Sequence, residues 1–455
     1  MKKILFISLA LIMALGVGLA GCDGGGGGGG VVTPTSIKVG LAREVNEDLA
    51  VFECGYGGTV YRWFADKVNN AGGIYLSDYN VTVPIELKVR DFDLATWNLG
   101  DVTKTLINTD KCDFIWGGPG TDCIFTQAPI CNLAGKLLMT LEGGASSMIW
   151  DNQIQNWPYV WVSLSFANWY QIPVLHDVLA TALGRNNVTA YITKIGGLGA
   201  THGIEYATET NNVFGAGNVT DAGFHSYNLF TNPGEADAII LAAETAYNAT
   251  PYDVFCAYTY PWNVAALTIA LMASNFNPPA ILMGPGGNAN DYGFSFGPYA
   301  QGVMSFIVAD NYTSTAISGL YAELATAAQA DWGNSTLPCA NTKNYTSGWD
   351  TLDYWGQPCY VAALELWEDA VVQAGNLNSQ DVRNALTTLN TTTVLGANTW
   401  FTVFGGGLGG GILAYECHPG EIGQWQSGEY RTIGGVANTS SITYPMTGSW
   451  FWLLD

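Results

Sequence analysis

Residues 253–283 read Asp253-Val-Phe-Cys-Ala-Tyr-Thr-Tyr260-Pro-Trp-Asn-Val-Ala-Ala-Leu-Thr-Ile-Ala270-Leu-Met-Ala-Ser-Asn-Phe-Asn-Pro-Pro-Ala280-Ile-Leu-Met283. The stretch reads as a strand over 253–257, a helix over 262–274 and a second strand over 280–283. Upstream the same rhythm gives a strand over 188–195, a helix from about 203, a strand near 222–229 and a helix over 234–248. An earlier unit starts with strand 37–41. It continues with helix 59–71, whose Val60, Phe64 and Val68 share one face and which Gly72-Gly73 stops. Val83, Ile85, Leu87 and Val89 alternate with polar neighbours, a strand by period. A short helix at 102–108 and strands at 113–116 and 137–141 follow. Downstream come helices at 316–331, 359–374 and 379–389, the last with Ser379 as N-cap, then strands at 422–425 and 430–433 around a turn. Strand and helix alternate throughout, so the class is α/β, with parallel sheets covered on both faces and two lobes crossed more than once.

The chain has 455 residues, ample for a real core, and 48% of them are apolar. Only 12% are charged, with 16 Lys and Arg against 38 Asp and Glu, a net charge of −22. Such a surface repels phosphate backbones and anionic lipid, so nucleic acid is excluded as a partner. With four His and neither an HExxH nor a CxxC motif, a zinc enzyme and other metal cofactors are not expected.

Lys2 and Lys3 precede an apolar run from Ile4 to Leu19, the pattern of a secretory signal. Leu19-Ala20-Gly21-Cys22 looks like a lipobox, which makes Cys22 the lipidated first residue of the mature chain. The alternative is an uncleaved membrane anchor; both leave the rest of the chain outside the cell. Gly24 to Gly30 and Val31 to Ser36 have nothing to bury and read as a tether. Eight further cysteines in an exported chain suggest disulfides, with Cys339–Cys359 and Cys123–Cys131 proposed from proximity and buried free thiols as the alternative. Nine Asn-x-Ser/Thr sequons, at Asn80, Asn187, Asn218, Asn248, Asn311, Asn334, Asn344, Asn390 and Asn438, point to a glycosylated, archaeal cell surface.

Several segments carry a resemblance. These are Ile37-Lys-Val-Gly-Leu41, Ala65-Asp-Lys-Val-Asn-Asn-Ala-Gly-Gly-Ile74, Asp113-Phe-Ile-Trp-Gly-Gly118, Met283-Gly-Pro285, Leu364-Glu-Leu-Trp-Glu-Asp-Ala-Val371 and Gln424-Trp425-Gln-Ser-Gly428. In that order they resemble extracytoplasmic solute-binding proteins of the leucine/isoleucine/valine-binding type, which serve ABC importers. The resemblance implies two Rossmann-like lobes joined by three crossover strands, a cleft that closes on one small ligand, and no catalysis. It divides the chain into a signal peptide (1–21), a lipidated Cys and tether (22–36), a first lobe (37–160 and 306–400) and a second (161–305 and 401–455).

Parallel sheets place ligands at the carboxyl ends of their strands, here the loops 42–58, 117–124, 142–148, 196–202, 258–262 and 284–292. Gly117-Gly-Pro-Gly-Thr-Asp122 offers backbone N–H groups and a hydroxyl before a helix, a carboxylate cradle. By resemblance Thr121 holds the ligand carboxylate beside Asp122, with Ser146 or Ser147 from the second polar loop. N-capping is the ordinary alternative role for these hydroxyls. Trp169, Tyr170, Tyr258, Tyr260 and Trp262 are expected to clamp an apolar or planar ligand, with surface or interlobe packing as the alternative. Amino-acid-binding members of the family place a Glu after Gly-Pro; this chain has Gly284-Pro285-Gly286-Gly287. Either Glu53, Glu142 or Asp291 supplies the counter-charge, or the ligand carries no ammonium. The expected ligand is a branched-chain or related amino acid, an amide, or an amine-free organic acid.

Two rival readings are a ligand-sensing ectodomain or surface-layer component of the same fold, and an exported hydrolase. For the hydrolase, Gly293-Phe-Ser-Phe-Gly297 mimics a nucleophile elbow at Ser295, although loop residues rather than a core strand precede it. Gly197-Leu-Gly199 with Asp221 imitates a dinucleotide fingerprint, for which an exported protein has little use. His176, His202, His225 and His418 show no ligand spacing and read as solvated or core residues.

Overall fold

A computed structural model describes residues 32–45, 53–93, 96–118, 120–140, 153–164, 167–197, 200–274, 276–337, 352–438 and 440–446. The first unit opens with β1 (Ile37–Glu44), α1 (Gly57–Asn70), the hairpin β2 (Ile74–Leu76) and β3 (Val81–Val83), and β4 (Ile85–Phe92). It continues through α2 (Leu99–Asn108), β5 (Phe114–Trp116), α3 (Thr121–Leu133), β6 (Leu138–Thr140) and β7 (Val160–Val162). Residues Val60, Phe64 and Val68 of α1 are buried, as their shared face requires. Gly40 lets α2 lie close on β1, since a Cβ there would come within 3.1 Å of Leu106 Cβ.

The second unit runs through α4 (Ala167–Leu183), β8 (Ala190–Ile195), α5 (Ala200–Phe214), β9 (Val219–His225) and α6 (Pro233–Ala249). It then adds β10 (Val254–Tyr258), α7 (Pro261–Ala273), β11 (Ile281–Gly284), α8 (Asn290–Phe296) and β12 (Val303–Phe306). The chain returns to the first unit with α9 (Thr315–Trp332), α10 (Gln357–Ala374), α11 (Ser379–Leu386), the hairpin β13 (Thr391–Thr393) and β14 (Gly396–Thr399), then β15 (Phe401–Val403) and β16 (Gly411–Leu413). It finishes on the second with β17 (Ile422–Gln426) and β18 (Glu429–Gly434).

The first sheet has the order β15-β16-β7-β6-β5-β1-β4 and the second β18-β17-β12-β11-β10-β8-β9. Both are parallel except at the edges, where β15 pairs antiparallel with β16, and β17 with both β12 and β18. The chain therefore crosses between sheets three times, after β7, β12 and β16. The second lobe's last part starts later than the sequence suggests, because β15 and β16 belong to the first sheet, so the boundary expected at 401 lies beyond Leu413. The N-cap of α11 is Asn378, whose side chain accepts from Gln380 N, while Ser379 begins the helix and its Oγ accepts from Leu137 N at 3.2 Å.

Among the described cysteines Cys54 is disulfide-bonded, and Cys112, Cys123, Cys131, Cys256, Cys359 and Cys417 are thiols outside any disulfide. Neither pairing proposed from proximity survives. Cys123 and Cys131 lie two turns apart on α3, about 12 Å along its axis, beyond disulfide reach. Cys359 is a buried thiol whose Sγ stands 3.5 Å from His418 Nε2. Cys22, Cys339 and Asn344 lie outside the described residues. Of the other sequon asparagines all are exposed but Asn218, which is half-buried with its amide donated to Phe214 O. No helix among the described residues is long and apolar enough to cross a membrane.

Candidate functional site

The carboxyl ends of β5 and β6 in one sheet, and of β8, β10 and β11 in the other, carry the loops that build the site. In the first lobe, Gly120 takes φ +83° and delivers the chain to α3 with Thr121 as its first helical residue. Tyr61 donates to Gly117 O at 2.8 Å, and Gly118 N donates to Gln127 Oε1 at 2.8 Å, so the loop is fixed from both sides. Thr121 is nearly buried, and its hydroxyl has no hydrogen-bond partner among the described residues. Asp122 stands half-buried in the first turn of α3. Ser146, Ser147 and Glu142 lie outside the described residues.

Across from this loop, Tyr260 caps α7, and its hydroxyl comes within 3.9 Å of where a Cβ on Gly120 would sit. Helices α3 and α5 also touch, so the two lobes share one site. Tyr260 stacks on His202 (centroids 5.6 Å, 20°) and leans on Trp262 (5.2 Å, 45°), whose Nε1 donates to Tyr227 O at 2.7 Å. His202 also packs on Tyr206 at 4.6 Å. Of the aromatic residues expected from the sequence, Tyr260 and Trp262 lie together here with His202 beside them, while the others are placed elsewhere. Tyr258 lies fully buried beneath it, with its hydroxyl on Thr210, because it points into the core under α5. Tyr170 stacks face to face on Tyr415 at 3.3 Å, pinning the first crossing to the third, and Trp169 packs on the first lobe's apolar cluster.

Nor does Glu53 stand open to a ligand. It is buried and ion-paired with Arg62, which also holds Asp331 at 2.7 Å, and burial pushes its carboxyl up to about 6. Asp291 lies half-buried in the first turn of α8, past the turn after β11. The Gly-Pro step itself excludes a carboxylate. A Cβ on Gly286, at φ +122°, would fall 2.4 Å from Pro261 Cα, and one on Gly287 would fall 2.8 Å from Met283 O. Trp425 Nε1 holds this turn by donating to Gly287 O at 2.7 Å, and Asn288 ties it to the first lobe through Asp353 at 2.5 Å. Gly286→Ala is therefore expected to cost about 1–3 kcal/mol in urea unfolding from backbone strain. A variant as stable as the parent would show the turn to be slack.

One rival reading meets its structural answer here, and one side-chain cluster escaped the sequence. Ser295 is exposed on the short α8, with no strand leading into it, so the elbow motif is a coincidence of composition. Cys359, His418 and Glu421 assemble at the third crossing, with His418 Nδ1 3.9 Å from Glu421 Oε1. All three are buried, and burial pushes the thiol up well beyond its ordinary range, so the cluster presents no nucleophile to a substrate. No group of His, Cys, Asp and Glu among the described residues is placed to hold a metal ion.

Two α/β lobes, three crossings and convergent strand-end loops define a two-lobed ligand-binding protein. The chain belongs to the periplasmic binding protein family, whose sequence model matches residues 59–408. It is similar in structure to the leucine-binding protein LivK of Thermotoga maritima, with 13% identity over 87% of this chain and 97% of that one, at a TM-score of 0.62. A branched-chain amino acid binding protein, LivJ of Streptococcus pneumoniae in complex with isoleucine, shares 14% identity over 90% and 100% of the chains, with a TM-score of 0.60. A solute-binding protein of Rhodopseudomonas palustris in complex with 3,4-dihydroxybenzoic acid shares 13% over 90% and 99%, at 0.61. No curated protein matches the chain in sequence. The family expected from the sequence is thus the one found.

Proposed function

We propose that the chain is the extracytoplasmic receptor of an ABC importer. Lipid on Cys22 tethers it to the outer face of the cell membrane, and it delivers a small organic solute to the permease without altering it. The observation that carries this reading is the approach of Tyr260 from one lobe to Gly120 of the other, the residue before Thr121, at strand ends where parallel sheets receive ligands. A helix start with an unengaged hydroxyl suits a carboxylate, and the Tyr260, His202 and Trp262 rings suit a flat or apolar body. The structural relatives support it, since their complexes hold isoleucine or an aromatic acid.

The test is a thermal-shift screen of amino acids, amides and organic acids, followed by X-ray scattering. A true ligand at a hundred times its Kd is expected to stabilise the protein by about 2.7 kcal/mol and to reduce its radius of gyration. Thr121→Ala should weaken every carboxylate alike. A tight ligand indifferent to Thr121 would move the site elsewhere.

A further inference from the structure

Residues 352–356 lead into α10 of the first lobe, yet they are bonded to both lobes. Asp353 forms an antiparallel bridge with Ala289, and Asn290 N donates to Leu352 O at 2.9 Å, so the loop runs beside the turn after β11. Asn288 accepts from Gly286 N on its Oδ1 at 2.7 Å and donates its amide to Asp353 Oδ1 at 2.5 Å. In the other direction Asp353 N donates to Gln357 Oε1 at 2.9 Å, and Gln357 Nε2 donates to Gly55 O in the loop after β1. One polar chain thus joins a strand-end loop of the second lobe to a strand-end loop of the first. Asn288, Asp353 and Gln357 are all buried. The Asp353 carboxylate is held by neutral donors, the Asn288 amide and the backbone N–H groups of Trp355 at 3.0 Å and Gly356 at 3.2 Å.

A contact of this kind is either a latch that parts when the cleft opens or a pin that stays made. Its surroundings decide. Tyr354 O accepts from Val308 N at 2.9 Å, on the second crossing itself. Trp355 packs on Phe306, the last residue of β12, at 5.9 Å, and Tyr354 touches both Tyr321 of α9 at 5.0 Å and Tyr430 of β18 at 5.6 Å. Cys359, in the first turn of α10, reaches His418 on the third crossing. The loop is therefore built onto two of the three crossings. A rotation about the crossings displaces atoms in proportion to their distance from them, so atoms here move least. The loop has no slack either, since a Cβ on Gly356 would fall 2.1 Å from Tyr360 Oη and 2.8 Å from Asp353 Oδ2. Parting on every opening would also strip a buried carboxylate of its donor. We propose that residues 352–356 are a fourth element of the hinge, a pin on which the lobes turn, and that Asp353 is its positioning residue. Its bond to Asn288 stays made as the cleft opens, and the turn after β11 keeps its register with the loop after β1.

Distances between the lobes test this in the full chain without any solute, so the outcome is separate from the carboxylate reading. Nitroxides on a label that spares thiols are placed at two pairs of exposed positions, Lys104 of α2 with Thr208 of α5 and Asp66 of α1 with Ala242 of α6, and read by pulsed electron resonance. Asn288→Asp sets two carboxylates face to face and is expected to broaden the distance distribution of at least one pair two-fold or more. Adding Asp353→Asn should bring most of the width back, because the introduced amide donates to the carboxylate at 288, which still accepts from Gly286 N. A loss of structure alone would not be recovered by that second substitution. If Asn288→Asp fails to fold, Asn288→Ala deletes the donor without adding a charge and should broaden the same distribution. Unchanged widths, or broadening that Asp353→Asn does not reverse, overturn the proposal. So does a sharp shift to longer distance without broadening, which is the signature of a latch.

Discussion

Replacing Arg62 with methionine is expected to destabilise the protein by about 3–5 kcal/mol at pH 7, the usual cost of removing one partner from a buried ion pair. Arg62 donates to Asp331 at 2.7 Å and to the carbonyl of Glu53 at 2.6 Å, and pairs with the Glu53 carboxylate. Its loss leaves two carboxylates facing each other, with side chains 5% and 14% exposed. Thr59 adds to the same knot, donating to Asp331 at 2.6 Å while accepting from Gly55 N at 2.7 Å. The knot ties the loop after β1 to α9, and Gln357 at the start of α10 grips the same loop through Gly55 O. Because parallel sheets receive ligands at strand-end loops such as this one, ligand affinity is expected to fall together with stability. Glu53→Gln alone should cost less, since the amide still accepts from Arg62, and the double variant should cost less than the two losses added. Urea unfolding of the three variants settles it. A loss below about 1 kcal/mol for Arg62→Met would show the pair to be worth no more than a surface bridge.

Most of the scaffold was legible because its elements follow clean periods. The buried face of α1 and the strands at 37–41 and 253–257 show this. The elements that were missed have physical reasons. Helix α4 contains Pro173, which interrupts the helical signal, and β15 and β16 flank the glycine run 405–411, which reads as loop. Thr121 and Tyr260 could be nominated from sequence because strand-end loops announce themselves. The packing of His202 could not, since the Tyr206 and Tyr260 rings around it are brought together only by folding. Sequence proximity misled for the cysteines, because a helix holds Cys123 and Cys131 apart. Glu53 illustrates the limit from the other side. A carboxylate in the right loop looked available until Arg62, on the next helix, was seen to face it.

The same dependence on folded neighbours sets the protein's response to acid. His225, at the end of β9, bridges two hydroxyls, Thr193 Oγ1 on Nδ1 and Thr259 Oγ1 on Nε2, each at 3.0 Å. Burial pushes it down from 6.5 to about 4, against a small opposing pull from Glu235. Its folded value lies below its unfolded one, so the unfolded chain binds the extra proton between those two pH values. Stability from this group is therefore complete above pH 6.5 and falls as pH drops toward 4, by about 3 kcal/mol at 1.36 kcal/mol per unit. His202 and His418 are displaced in the same direction by burial. Asp353 acts oppositely, since burial raises it to about 6 and folding gains from its proton as pH falls through that value. The parent's slope is thus a difference of opposing terms, and a single variant is needed to isolate one of them. His225→Gln, which cannot titrate, should remove about 3 kcal/mol of the loss between pH 6.5 and 4 as measured by urea unfolding, whatever its cost at pH 8. Parallel curves for parent and variant would mean that His225 takes up its proton without leaving the folded state. Because Thr259 precedes Tyr260, and Gly196 N donates to His225 O at 2.8 Å, protonation loosens two of the second lobe's ligand loops at once. Ligand affinity should therefore weaken over the same pH window, and less so in the variant.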